Sequence, residues 1–262
     1  MTHNWLFCRL PGQAWADTEA ASAPRLPEGV AAALAAVRDE PDGHWFFHPF
    51  RDGTPGTELW VGAGDTAVRN ILTRLVEETG RTGGRLLHRC EERAPAPTDG
   101  LSTRSSELAL AMARSGGLTA ADRLALAVLH LRHAAGLLPA GDRSAFLFLC
   151  WQHWAAPLDA GQRLALGRRV AERGEELIEA SALLTMDAAV AEAWQAYLAE
   201  LAALTADDTE GEHPGRYLLF EHLRLTHRRL GVPGRTEALA ALAVRGAPES
   251  ALAPGGPVLQ SA

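Results

Sequence analysis

The sequence predicts an α+β protein: a β-α-β-β-α-β unit over residues 1–95, followed by a helical part over residues 100–246. Three observations carry this. In the first 92 residues, short aromatic and apolar runs alternate with helix-spaced patterns. The connection Ala94-Pro-Ala-Pro-Thr-Asp-Gly100 then changes the texture of the chain. Beyond it the apolar patterns are helical.

Residues 5–10, Trp-Leu-Phe-Cys-Arg-Leu, read as a short strand. A helix is expected over 27–37, with Pro27 suited to its first turn. Two strands follow, at 44–50 and 57–63, joined by the loop chemistry of Arg51-Asp-Gly-Thr-Pro-Gly56. Asp65 caps a helix to residue 79 that carries Val68, Ile71, Leu72, Leu75 and Val76, and Gly80 is expected to end it. A last strand spans 85–92. This order is that of the split βαβ, or ferredoxin-like, arrangement. In the helical part, Thr119, Asp159 and Asp187 are N-caps. The segment 144–154 is apolar nearly all round, as a buried helix would be. Further helices are expected over 214–230 and from Thr236, with a disordered Ala/Pro/Gly tail over 247–262.

Composition excludes several function classes. At 262 residues and 47% hydrophobic, the chain can bury a sizeable core. It has no apolar run long enough to span a bilayer, and Met1-Thr-His-Asn-Trp5 does not read as a signal peptide. The expectation is a cytoplasmic protein with no membrane partner. A net charge of −7 argues against a nucleic-acid partner. All 25 Lys+Arg residues are arginine, which removes lysine Schiff bases, pyridoxal phosphate anchoring and a P-loop. Cys8, Cys90 and Cys150 are far apart, so neither a disulfide nor a cysteine zinc site is expected. His130 and His133 form an i, i+3 pair without a third ligand, and no metal is expected. The glycines of Val61-Gly-Ala-Gly64 lack dinucleotide-binding spacing.

Two regions hold the candidate chemistry. On the paired strands, Trp45, Phe47 and Trp60 offer a flat apolar wall to a peptide, unless alternate members fill the core under the helices. His48 and Arg51 flank Pro49 at a strand end, where binding groups often sit. In the 214–230 helix, Tyr217, Glu221, Arg224 and Arg228 share one face, with His222 and His227 on neighbouring faces. A phenol, a carboxylate and an imidazole there (Tyr217, Glu221, His222) would suit proton transfer in a desolvated pocket. Arg224 and His227 are further candidates for binding substrate. The competing reading is a solvated face held by pairs of Glu221 with Arg224 or Arg228.

The segments His44-Trp-Phe-Phe-His-Pro-Phe-Arg-Asp52 and Glu58-Leu-Trp-Val-Gly62 resemble two motifs of the elimination domain of lantibiotic dehydratases, a module also found as free-standing proteins of thiopeptide biosynthesis. In eliminating members the motifs read roughly Phe-Phe-x-Arg-Tyr-x-Asp and His-Leu-Arg-x-Arg. Here Phe46, Phe47, Phe50 and Asp52 keep the frame. Pro49 stands at the first arginine, Glu58 at the histidine, and Trp60 and Gly62 at the two later arginines. The stretch Leu223-Arg-Leu-Thr-His-Arg-Arg-Leu-Gly231 is similar to the family's late region. Thr226 falls at its histidine, Arg228 at its asparagine, and His227 lies one residue from the former.

Free-standing relatives that keep the fold and lose the elimination residues look like pyridine synthases of thiopeptide and pyritide biosynthesis. The resemblance implies a cofactor-free, formal aza-[4+2] cyclisation of two dehydroalanines in a precursor peptide made of a leader and a dehydrated core. A split dehydratase is the implied partner. The alternatives are a glutamate-eliminating subunit acting on a glutamylated peptide, and a non-catalytic leader-binding subunit.

Overall fold

The computed structural model describes residues 5–11, 26, 28–38, 43–50, 56–81, 86–91, 100–206, 215–252 and 260–261. Strands β1 (Trp5–Pro11), β2 (His44–Phe50), β3 (Gly56–Gly62) and β4 (Leu87–Glu91) form one sheet in the order β2-β3-β1-β4. Every neighbouring pair is antiparallel. With helices α1 (Glu28–Arg38) and α2 (Asp65–Arg81), this is the expected ferredoxin-like unit. Pro27 and the loop 51–55 lie outside the described residues. Gly80 does not end α2, which continues to Arg81. A glycine stops a helix by entering the left-handed region, and Gly80 is not among the described glycines that do so.

The two faces of the sheet follow from strand alternation. Leu6, Cys8 and Leu10 of β1, Trp45 and Phe47 of β2, and Leu59 and Val61 of β3 join one buried cluster with Val30 and Leu34 of α1 and Ile71 and Leu75 of α2. Phe7, Phe46 and Trp60 form a separate cluster, with Trp5 packed against it. The sheet is therefore aromatic on one side and mixed aliphatic on the other.

The helical part comprises α3 (Gly100–Arg114), α4 (Ala120–Gly136), α5 (Ala140–Trp154), α6 (Ala160–Ala182), α7 (Ala188–Ala206), α8 (Gly215–Arg229) and α9 (Gly234–Gly246). Thr119 and Asp159 cap α4 and α6 through full capping boxes. Asp187 Oδ1 accepts from the Val190 N–H at 2.9 Å at the start of α7. Helix α9 is central, packed on α4, α5 and α6; its buried alanines 238, 240, 241 and 243 allow that approach. It opens at Gly234 after Pro233, two residues earlier than the Thr236 start expected, because Pro233 already has φ fixed for helix entry. Helix α5 is not buried all round: Phe146, Leu147, Cys150 and Trp154 face inward, while Leu149 is 59% exposed. The expected tail is docked where it is described. A 3-10 turn, Glu249–Leu252, buries Leu252, and the Ala251 carbonyl accepts from Arg132 Nε at 3.0 Å. Gln260–Ser261 pairs in parallel with Thr185–Met186.

Helix α3 closes the open edge of the sheet. Strand β2 is an edge strand, whose outward backbone groups need partners. The Phe47 N–H donates to Ser106 Oγ at 3.2 Å, and the Phe47 carbonyl accepts from Arg229 Nε at 2.7 Å. The edge is thus sealed by side chains of α3 and α8.

Candidate functional site

The register lays the motif positions out in rows across the aromatic side. Phe46, Trp60, Phe7 and Arg89 are successive cross-strand partners. Trp60 lies 4.6 Å from Phe7 and is stacked on Phe46 at 6.3 Å between ring centroids. The Arg89 guanidinium sits 4.8 Å from the centre of the Phe7 ring. The next row runs His48, Glu58, Arg9; Arg9 Nη2 and Glu58 Oε1 are 2.7 Å apart. In the row on the other flank, Trp5 is the partner of Gly62 and tilts over Phe46 at 5.9 Å. A Cβ at Gly62 would lie 2.9 Å from two atoms of the Trp5 ring, so the ring occupies the space a side chain at 62 would need.

His48 stands where this face meets the helical part. Its ring is 5.0 Å from Phe46, and its Nδ1 accepts from Arg229 Nη2 at 3.2 Å. Burial, followed by the charges of Arg229, Arg228 and the neighbouring His222, holds its pKa well below the ordinary histidine value. The ring is neutral at neutral pH.

From Arg229 a hydrogen-bonded chain runs through the buried interior. Arg229 Nη1 donates to Ser105 Oγ at 3.0 Å, and Ser105 Oγ lies 2.8 Å from Thr226 Oγ1. Thr226 donates to the Tyr197 hydroxyl at 3.1 Å, which is 2.9 Å from His130 Nε2. His130 Nδ1 is 3.2 Å from His227 Nε2, and His227 Nδ1 is 3.1 Å from Glu237 Oε1. Every member is buried. Burial, then His227 and His133, depresses the His130 pKa well below its ordinary value. The end of α8 makes the last link possible. Gly231 takes φ 68°, and the Val232 N–H bonds back to the His227 carbonyl at 2.9 Å, which turns the chain sharply into α9.

The sequence-derived candidates separate in space. Trp45 and Phe47 face the aliphatic core, so they do not share a wall with Trp60; the wall is Trp5, Phe7, Phe46 and Trp60 instead. Alternation explains this, since residues 45 and 47 point away from 46 and 48. Trp60 is itself only 7% exposed. Arg51 lies outside the described residues. Tyr217 is 52% exposed, and Glu221 is ion-paired with Arg224 at 2.9 Å. His222, by contrast, is buried near His48, so the phenol, carboxylate and imidazole do not gather in one desolvated pocket. His227 sits inside the buried chain. Sequence reasoning missed Arg229, Ser105, Tyr197 and Glu237. The available signal was a second polar stripe on α8, His222-Thr226-Arg229 at i, i+4, i+7. Among the described residues, no group of three or more His, Cys, Asp or Glu side chains is placed to hold a metal ion. No described helix is long and apolar enough to cross a membrane.

No family model and no curated protein matches the chain. Its fold, a small sheet with flanking helices joined to a helical bundle, is that of lantibiotic dehydratase and pyridine synthase structures. One is the tRNA-dependent lantibiotic dehydratase MibB from Microbispora sp. 107891, at 17% identity and a TM-score of 0.54. That match covers 92% of this chain and 27% of MibB, so the chain spans about a quarter of the dehydratase. The other is the pyridine synthase TbtD from thiomuracin biosynthesis, at 16% identity and a TM-score of 0.50, with 93% of this chain and 96% of TbtD covered.

Proposed function

We propose that this chain is a pyridine synthase of thiopeptide or pyritide type, which joins two dehydroalanines of a leader-bearing peptide in a formal aza-[4+2] cyclisation. The observation that carries the reading is the state of the strand positions where eliminating relatives have cations. Pro49 can donate nothing, Trp60 is stacked among Phe7 and Phe46, and the Trp5 ring fills the space beside Gly62. Glu58 adds a carboxylate to the same face, paired with Arg9. Expulsion of a glutamate carboxylate needs positive charge at the leaving group, and the motif positions hold a proline, a tryptophan and a glycine in its place. The likeness of fold to TbtD, over nearly the full length of both chains, supports the same reading.

The reaction fits a face whose centre is aromatic, with its charges held in the Arg9–Glu58 pair and by Arg89 over Phe7. An amide beside the first dehydroalanine moves its proton from nitrogen to oxygen, which gives an azadiene. Two carbon–carbon bonds then form to the second alkene. Water leaves the former carbonyl carbon, and the leader departs as its carboxamide, which leaves the aromatic pyridine. The main barrier is to bring two distant alkenes together, and orientation alone is worth about 7–11 kcal/mol in favourable cases. Grip on the leader contributes to that orientation from a distance.

The test is to incubate the protein with a linear, azole-bearing peptide containing two dehydroalanines, and in parallel with its glutamylated precursor. The expected products are a pyridine macrocycle and a leader carboxamide from the first, and no glutamate release from the second. Catalytic loss of glutamate without cyclisation would replace this reading with the eliminating one. Tight leader binding with neither reaction would favour a binding subunit.

A further inference from the structure

We propose that Arg229 is a positioning residue that holds His48 as its neutral Nε2–H tautomer, so that the aromatic side of the sheet carries a fixed, uncharged hydrogen-bond donor for a carbonyl oxygen of a bound peptide. The inference rests on the cyclisation reading only for which carbonyl is bound.

The tautomer follows from donor chemistry. A guanidinium has five N–H donors and no acceptor. Arg229 Nη2 lies 3.2 Å from His48 Nδ1, so Nδ1 must present its lone pair and the single ring proton of a neutral imidazole is on Nε2. Among the described residues, Nδ1 is the His48 ring nitrogen with a hydrogen-bond partner.

The guanidinium is fixed by two further hydrogen bonds. Arg229 Nε is bonded to the carbonyl of Phe47, the residue just before His48 in β2. The guanidinium is therefore registered to the strand that carries the imidazole. Nη1 is bonded to Ser105, and through it to the buried chain that ends at Glu237. Arginine does not release its proton in proteins, so this chain orients His48 and does not conduct protons away from it.

The charges around the ring keep it a neutral donor. Arg229, Arg228 and His222 face it from α8 and oppose protonation. Across the strand pair is Glu58, which is held by Arg9. A carboxylate ligand would meet Glu58, whereas a neutral amide carbonyl accepts from Nε2–H without that repulsion. A donor on this oxygen also stabilises the negative charge that develops there as the amide nitrogen gives up its proton on the way to the azadiene.

The experiment uses the whole chain with 15N-histidine. Long-range proton–nitrogen spectra identify the tautomer, and His48→Gln assigns the ring. The expected result is a neutral Nε2–H pattern for His48 that is unchanged between pH 7.5 and 5.5. An Nδ1–H pattern, or an imidazolium at pH 7, overturns the proposal. Arg229→Lys should leave His48 exchanging between tautomers; if that variant does not fold, the wild-type spectrum still decides.

The donor role is read separately with the linear dehydroalanine peptide, by affinity and by kcat/KM. Glutamine places an N–H near the Nε2 position and asparagine does not reach it. His48→Gln should stay within about threefold of wild type, and His48→Asn should fall about tenfold, the loss of one neutral hydrogen bond. Equal affinity in wild type and His48→Ala, including none in either, overturns the donor role. Binding without cyclisation would instead sink the proposed reaction, while the tautomer and the affinity series would still test His48.

Discussion

A β-carbon at position 62 would lie 2.9 Å from two atoms of the Trp5 ring. Gly62→Ala should therefore cost about 1–3 kcal/mol, as other overpacked sites do. Most of that cost should vanish when Trp5 is alanine, a coupling that a double-mutant cycle in denaturant measures. A Gly62→Ala protein as stable as wild type would show that the Trp5 ring moves aside freely. Trp60 poses the complementary case. It is 7% exposed and lies between Phe7 and Phe46. Trp60→Ala should lose roughly 3–5 kcal/mol, and Trp60→Phe much less. Thermal melting compared with activity per folded molecule separates a packing role from direct contact with peptide. Neither residue was a clear case in the sequence. The motif frame marked both positions, but only the register shows that one faces its neighbours and the other yields its space.

Helix α8 shows why the site was only half legible. Its sequence holds two polar stripes, Tyr217-Glu221-Arg224-Arg228 and His222-Thr226-Arg229. Periodicity finds both and cannot say which one faces inward. The first carries the partly exposed Glu221–Arg224 pair; the second is buried and organises the interior. Helix α3 was missed for a related reason. Its first half is rich in serine and threonine, which reads as loop chemistry, yet Ser102, Ser105 and Ser106 are fully buried. Caps at Thr119, Asp159 and Asp187 were legible because a cap is a local event. The buried chain also makes a pH prediction. Burial depresses the pKa of His48 and His130. Below about pH 6.5 the unfolded chain binds protons that the folded chain refuses. Stability is therefore full above that pH and falls as pH drops, by at most about 1.4 kcal/mol per histidine for each unit. Urea midpoints at pH 7.5 and 5.5 should differ accordingly, and His48→Gln should flatten the slope. An unchanged midpoint would show that both rings charge without penalty.

The whole chain should unfold as one body. A single buried cluster runs from Leu6 in β1 to Leu252 after α9. The edge of β2 is completed by Ser106 and Arg229, which belong to the helical part. A fragment of residues 1–95 would expose both that edge and part of the shared core. It should fail to give a folded spectrum on its own. In the full chain, tryptophan fluorescence and far-ultraviolet dichroism should report one coincident urea transition. Two separated transitions would show that the sheet and the bundle hold independently. The sequence anticipated a small sheet with flanking helices followed by a helical bundle, and the linker it placed at 94–100 lies almost wholly outside the described residues. It could not show the sealing of β2, because the contacts join residues 59 and 182 positions apart.

The thiols carry a consequence for handling reactive alkenes. Dehydroalanine is an electrophile, and the attacking form of cysteine is the thiolate. Burial pushes the Cys8 thiol up to about 12, with Cys90 nearby adding to the shift. Burial first, then Glu237, raises that of Cys150 further. Both are fully buried as well, which leaves Cys90 on β4 as the exposed thiol. Under the proposed reaction, a chain with no lysine and with two of its three thiols buried would present a bound dehydrated peptide with few amines or thiolates to react with. Such a surface would spare an alkene substrate from capture by the protein. A thiol-selective electrophile should mark Cys90 first, far ahead of the other two.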